Sequence, residues 1–252
     1  MQSFVNLFGI KVSFYGLMLL VALLTGNLIV FSCRRRLCVI FDDVILMEAY
    51  MILGALIGAK LVYIAVSFKT IDWKGVFSSL DSFSFFLNSG FVFYGGLIGA
   101  LLSLFWARLI HKCSFFPLLE NVAFVLPLTH AIGRIGCLLV GCCYGIIYDG
   151  FLAIRYSWSP YPRFPVQLLE AFLLFLLFLS LLIYRMKDGK YSLEIYLISY
   201  SVIRFFTEFF RGDSERGVFL NLGLSQWISI AMFIFSFLLL FMRKQIAKRI
   251  LR

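Results

Sequence analysis

Seven long, unbroken apolar runs constrain this chain more than any other feature. They fall at about 12–33, 44–67, 90–110, 116–141, 165–184, 192–210 and 222–242. Each approaches the roughly 20 residues of helix that cross a hydrocarbon core. The runs are continuous rather than alternating, which excludes the period-two strands of an outer-membrane barrel. Composition points the same way, with 62% of the 252 residues hydrophobic and 14% charged, against ~45–50% and ~25% in a soluble domain. A disordered chain, a soluble enzyme and a basic nucleic-acid-binding domain are all excluded. The net charge of +10 sits mostly in short clusters between apolar runs, where it reads as membrane-orienting flanks. No repeat and no Gly/Ser- or Pro-rich linker divides the chain. The expected fold class is an all-α integral membrane protein, with residues 1–252 forming a single polytopic domain of seven transmembrane helices.

Orientation follows from the connections. One side carries Arg34, Arg35, Arg36, Arg108, Lys112, Arg185, Lys187, Lys190, Arg243, Lys244, Lys248, Arg249 and Arg252. The other carries Lys11, Lys69, Lys74, Arg155, Arg163, Arg211 and Arg216. The positive-inside rule makes the first side cytoplasmic, so the N-terminus is expected outside and the C-terminus inside. The first run lacks a basic leader region and ends in Arg34-Arg35-Arg36, a stop-transfer flank rather than a cleavage site. Two outer-face connections are long, at about 68–89 and 146–164. Their aromatic residues, among them Trp73, Phe77, Phe83, Tyr148, Tyr156 and Trp158, suit the headgroup region, either as an anchoring belt or as a cap over a substrate.

Three basic residues remain inside the runs: Lys60, Arg134 and Arg204. A charge at membrane depth costs several kcal/mol and normally faces a polar cavity or a partner. His130, Arg134 and Cys137 stand at i, i+4, i+7, one face of a helix, and Arg204, Glu208 and Arg211 repeat the spacing. At about 1.5 Å per residue, both arginine-bearing faces reach the outer half of the membrane. A structural Arg204–Glu208 pair with snorkelling Arg134 and Arg211 would explain this. An anion held between Arg134 and Arg204 explains it more simply, because guanidinium suits phosphate. Gly133, Gly136, Gly141 and Gly145 surround Arg134 and would let the helix pack closely and then unwind near the outer surface.

Of the six cysteines, Cys33, Cys38 and Cys113 lie beside cytoplasmic basic clusters, whereas Cys137, Cys142 and Cys143 lie near the outer end. The outer three are open to reading as packing residues, a disulfide, a metal site with His130, or active thiols. The His-x6-Cys-x4-Cys-Cys pattern lacks the two separated short pairs of structural zinc. A site-lining role is therefore expected, with no metal and no cofactor.

Six ordered blocks carry a resemblance. They are Tyr15-Gly16-Leu17-Met18, Gly95-Gly96-Leu97-Ile98-Gly99 and Gly133-Arg134-Ile135-Gly136, then Pro165 through Glu170, Arg204 through Arg211, and Ser225-Gln226-Trp227-Ile228-Ser229. In this order, on seven runs, they make the chain resemble the bacterial prolipoprotein diacylglyceryl transferases over nearly its whole length. The resemblance implies transfer of the diacylglyceryl group of phosphatidylglycerol to the thiol of a prolipoprotein lipobox cysteine. It places the reaction at the outer face of the cytoplasmic membrane, with glycerol phosphate leaving. The implied donor is phosphatidylglycerol, the acceptor a prolipoprotein signal peptide, and nucleic acid has no part.

The same resemblance lays the family's essential arginines on Arg134 and Arg204 and its glutamate on Glu208. Catalytic candidates are Arg134, Arg204, Glu208, Tyr94 and His130. Substrate-binding candidates are Tyr15, Gly95, Gly96, Gly133, Gly136, Cys137, Cys142, Gly145 and Arg211. Glu208 can accept the thiol proton or hold Arg204; Tyr15 and Tyr94 can hydrogen-bond phosphate or glycerol hydroxyls. The chain departs from the family at Tyr94 (usually His), Cys137 (usually Asn), Cys142 (usually Glu) and Lys60 (usually Arg). A phospholipid-dependent transferase with another acceptor therefore stays open. A lipid or anion transporter is the third reading, although the paired inverted repeats of transporters are not visible.

Overall fold

A computed structural model describes residues 4–7, 10–111, 115–212 and 218–250. Lys112, Cys113, Arg216 and Arg252 lie outside the described residues. Among the described residues ten α-helices run in chain order: α1 Phe14–Leu37, α2 Phe41–Ser67, α3 Trp73–Val76, α4 Leu80–Asn88, α5 Phe93–His111, α6 Phe115–Val122, α7 Leu126–Val140, α8 Val166–Met186, α9 Ser192–Thr207 and α10 Leu224–Ile250. Two short antiparallel hairpins join them, β1 Phe4–Leu7 with β2 Ile10–Ser13 and β3 Val218–Phe219 with β4 Leu222–Gly223. Among the described residues, six helical segments are long and apolar enough to cross a membrane. The exposure pattern agrees with their doing so. Gln167, Glu170 and Glu194 are at most 1% exposed, while Leu24, Leu28 and Phe235 keep more than 60% of their surface. Polar groups inside and leucine outside is the arrangement that a hydrocarbon solvent selects.

Two of the expected runs take a different form. The run expected at 192–210 becomes α9, of 16 residues, followed by a 3-10 turn at Glu208–Phe210. The run expected at 116–141 is broken into α6, a 3-10 turn at Ala123–Val125, and α7. Pro127 explains the break, because it sits in the first turn of α7, where a missing N–H costs nothing.

The chain packs as two compact units. Residues 1–37 and 119–252 form the first. In it α1 lies against α7, with Gly26 close to Thr129 and Val125, and Gly136 close to Met18. Buried Ala131, Ala171 and Leu174 form a small core between α7 and α8, covered by Tyr196 and Tyr200 of α9. Residues 38–118 form the second unit. There α2 and α5 cross with Gly54 and Gly58 against Gly95 and Gly99, so close that a Cβ on any of these would strike the opposite backbone. The 68–89 connection belongs to this unit and folds into α3 and α4, capped by the side chains of Asp72 and Ser79. Lys60 of α2 donates to the carbonyls of Phe86 and Ser89 and lies over the Phe86 ring. One basic residue within the expected spans thus anchors a connection.

Candidate active site

The first unit gathers most of the candidate residues around one buried carboxylate. Glu170, on the first turns of α8 and 1% exposed, has Oε1 2.8 Å from Arg134 Nη2 and Oε2 3.9 Å from Arg204 Nη1. The anion that lies between the two arginines is therefore a side chain of the protein itself. Arg204 also pairs with Glu208 and donates to Ser225 Oγ at 3.0 Å. Arg211 Nε closes the row 3.8 Å from Glu208 Oε2. Three guanidiniums against two carboxylates leave one net positive charge. Two buried donors in the row, Arg134 Nε and Arg204 Nη1, have no hydrogen-bond partner. An orphaned buried donor costs about 1–3 kcal/mol, a penalty that a bound anion would remove.

Local structure explains how the row is built. On α7, His130, Arg134 and Cys137 share a face, as their spacing requires. The helix ends at Gly141, whose φ of +78° is the left-handed cap that favours glycine. After it, the segment 144–146 pairs with 210–212: Ile146 donates to Phe210 and Gly212 to Tyr144. Gly145 permits this approach, since a Cβ there would meet the carbonyls of Phe164 and Phe210. Arg211 is thus not on the helical face expected from its i+7 spacing. The helix stops at Thr207, Arg211 is extended (φ −84°, ψ 143°), and its guanidinium comes back to Glu208 through the loop. Gly133 has no atom within 4 Å of where its Cβ would stand. It therefore contributes open space next to Arg134, not the close packing expected of it.

Below the row lies an aromatic layer. The His130 ring stands edge-on to Tyr200 at 4.6 Å, and its Nδ1 is 3.2 Å from the Tyr196 hydroxyl. Tyr200 reaches Glu170 Oε1 at 3.5 Å. His130 accordingly supports the tyrosines beneath Glu170, a geometry that suits positioning more than proton transfer.

On the other side of the row lie three cysteines. The Sγ atoms of Cys137, Cys142 and Cys143 all fall within 4.8 Å of one another, and none of the three is in a disulfide. Hydrogen bonds with the Cys137 and Cys142 thiols, together with the Arg211 guanidinium, hold Cys143 well below the ordinary thiol range. Cys142, hydrogen-bonded to its two neighbours and partly buried, is pushed up. Tyr15 of α1 faces this group and Arg134 electrostatically. Its ring lies 3.4 Å from where a Gly136 Cβ would be. Tyr94, Gly95 and Gly96 belong to the second unit, where Gly95 is a point of close helix crossing.

Comparison with known proteins decides the family. The model of the prolipoprotein diacylglyceryl transferase family matches residues 2–242. The chain belongs to the prolipoprotein diacylglyceryl transferase family. It is similar to the phosphatidylglycerol–prolipoprotein diacylglyceryl transferase 2 of Clostridium perfringens strain 13, with 32% identity over 93% of this chain and 92% of that one. It is also similar to the enzymes of the same name, without the numeral, from Clostridium tetani (33% identity, covering 89% of this chain and 90% of the relative) and Campylobacter hominis (33% identity, covering 92% and 87%). Within this family member, the residues missed from sequence were Glu170 and Gln167. Both are buried polar groups on an otherwise apolar helix. The reasoning that singled out Arg134 and Arg204 inside apolar runs applies equally to an acid, and would have found Glu170.

Proposed function

We propose that this chain is a transferase that moves the diacylglyceryl group of phosphatidylglycerol to the thiol of a prolipoprotein cysteine. Relatives of nearly equal length bear that activity in their names. The observation that carries the reading is the net single positive charge of the Arg134–Glu170–Arg204–Glu208–Arg211 row, with two guanidinium donors that make no hydrogen bond. A phosphodiester has one negative charge and two free oxygens, so it matches both the charge and the donors.

In this reading Arg134 and Arg204 hold the phosphate and stabilise it as glycerol phosphate departs. Glu170 keeps the two guanidiniums apart and oriented, and Glu208 does the same for Arg204 and Arg211. The acceptor thiolate attacks the glycerol carbon bearing the phosphate ester. The space beside Gly133 receives the headgroup, Gly145 and Gly136 hold the surrounding backbone together, and Tyr15 offers a hydroxyl. Tyr94, Gly95 and Gly96 are kept as candidates for substrate contact within the second unit. The acceptor cysteine is that of a lipobox. The whole chain works as one membrane domain of seven spans, α9 with its 3-10 turn being the sixth, with the N-terminus outside, the C-terminus cytoplasmic and the site at the outer face of the bacterial cytoplasmic membrane. Purified protein given phosphatidylglycerol labelled in its glycerol backbone and a lipobox peptide should label the peptide and release glycerol phosphate. Release without peptide labelling would favour a different acceptor. Tyr94, Cys137 and Cys142, which replace the family's usual His, Asn and Glu, make that the second reading.

A further inference from the structure

The three outer cysteines are brought together by more than chain proximity. Cys137 is on the last turn of α7, and its carbonyl accepts from the N–H groups of both Gly141 and Cys142. The chain then turns back on itself through two left-handed residues on either side of Cys142, one of them not a glycine. Gly141 has φ +78° and Cys143 has φ +57°. A left-handed non-glycine residue costs about 1–2 kcal/mol, and such strain collects where a local geometry is functionally required. Its result here is three sulfur atoms within 4.8 Å of one another. A buried side chain supports them from behind: Gln167 donates to the Cys142 carbonyl at 2.7 Å and to the Tyr156 hydroxyl at 3.1 Å. The group also changes character from inside to outside. Cys137 is buried, Cys143 half-buried and Cys142 exposed, so the cluster opens on one side.

We infer that Cys137, Cys142 and Cys143 form a three-thiolate site for a borderline-soft d10 cation of the zinc class, with its fourth position open to a substrate thiol. Sulfur at about 2.3 Å from zinc places sulfurs nearly 4 Å apart, a separation within the 4.8 Å that bounds the cluster. All-thiolate donors select such an ion over magnesium or calcium, which take oxygen. Charge agrees as well. Three thiolates and a divalent ion carry one net negative charge, and they sit beside Arg211 and Arg134. Three protein ligands with one open position is the pattern of a catalytic rather than a structural zinc.

The catalytic part of the inference rests on the transferase reading. The acceptor thiol would bind the ion's open position and lose its proton. Its sulfur would then use that electron pair to form the C–S bond at the glycerol carbon. The C–O bond breaks, the oxygen keeps the pair, and glycerol phosphate leaves with the proton; nothing is oxidised or reduced. A metal-bound thiolate thus does the work of the base candidate, the family's usual His, that this chain replaces with Tyr94.

The test uses the full chain, purified in detergent under reducing conditions, and titrated with Zn2+ or Co2+. One ion per chain is expected, with Co2+ giving a thiolate-to-metal charge-transfer band. Zn2+ should protect three thiols from a thiol reagent. Serine at Cys137, Cys142 or Cys143 should abolish the band. Gln167→Ala should weaken binding by about tenfold, and Cys33→Ser and Cys38→Ser should leave it unchanged. No charge-transfer band in the reduced wild-type protein, or a band that survives in the serine variants, overturns the site. Chelation should lower peptide lipidation at least tenfold, with Zn2+ restoring it. An unchanged rate after chelation overturns the activating step. Zinc bound at this cluster in a protein that transfers nothing from phosphatidylglycerol, with or without the ion, would instead sink the transferase reading and leave the metal site standing.

Discussion

The first unit contains two buried ionic clusters, and they are built on opposite plans. At one end Arg134, Arg204 and Arg211 surround Glu170 and Glu208. Near the other, Arg243 of α10 pairs with Glu120 at 2.9 Å and with Glu194. In this second cluster the carboxylates are in excess, but they stand at the start of α9. Glu194 is in its first turn, and Glu120 accepts from the Ser192 N–H at 2.5 Å. A helix N-terminus contributes roughly half a positive charge, so that cluster is close to neutral and ties α6, α9 and α10 together. The arginine row carries its surplus on the cationic side, with three guanidiniums to two carboxylates. The difference teaches that buried ion pairs alone do not mark a site. Unpartnered polar atoms occur in both clusters, Ser192 Oγ and Glu194 Oε2 among them; a surplus of positive charge with guanidinium donors to spare is what marks one of them.

This contrast can be broken by substitution. The largest effect should come from Arg134→Ala and Arg204→Ala. Each should lower transfer at least about 10²–10³-fold, with the protein still folded and inserted. Lysine at either position should restore little, because it keeps the charge without the two-pronged donor. Near-normal turnover in Arg204→Lys, measured by peptide lipidation, would show that charge suffices. Glu170→Gln should cost less, roughly 10²-fold in turnover, because the arginines lose their spacer and orientation while still carrying charge. Thermal unfolding of that variant should be followed alongside, since an unfolded protein would mimic the loss. The smallest effect on activity should come from Arg243→Ala, which is expected to lower stability by about 1–2 kcal/mol and leave turnover within twofold. That figure is below the usual penalty for breaking a buried pair because the Arg243 side chain keeps 26% of its surface. A large loss of turnover there would erase the distinction between the two clusters.

Sequence made some of this plain for physical reasons that can be named. A helix face repeats every three to four residues, so His130, Arg134 and Cys137 had to align once α7 was a helix. Gly141 had to end that helix if the glycine was followed by Cys142-Cys143 near the surface, and its left-handed conformation does so. The same rule failed for Arg211, because α9 stops at Thr207 and the chain leaves it to pair with residues 144–146. Gly212, one residue further on, was the available signal, a glycine just past the last helical turns. Its Cβ would collide with the Gly145 carbonyl, so the close approach of the two loops is written in both glycines. Glu170 carried the same signal as the arginines, a charge in an apolar run, but its role did not show. Arginines in apolar runs drew attention to an external anion, and only packing α8 against α7 and α9 reveals that the first counter-ion is internal. The thiol cluster was harder still, since nothing in Cys-x4-Cys-Cys announces that Cys143 takes a positive φ.

The most direct measurement of the central claim is retention of phosphatidylglycerol by the purified protein, read by native mass spectrometry. One phosphatidylglycerol should remain on the wild-type chain and on Arg243→Ala, uncharged diacylglycerol should not, and Arg134→Ala should retain neither. If Arg134→Ala holds phosphatidylglycerol as well as the wild type does, the surplus charge of the arginine row is not what binds the donor.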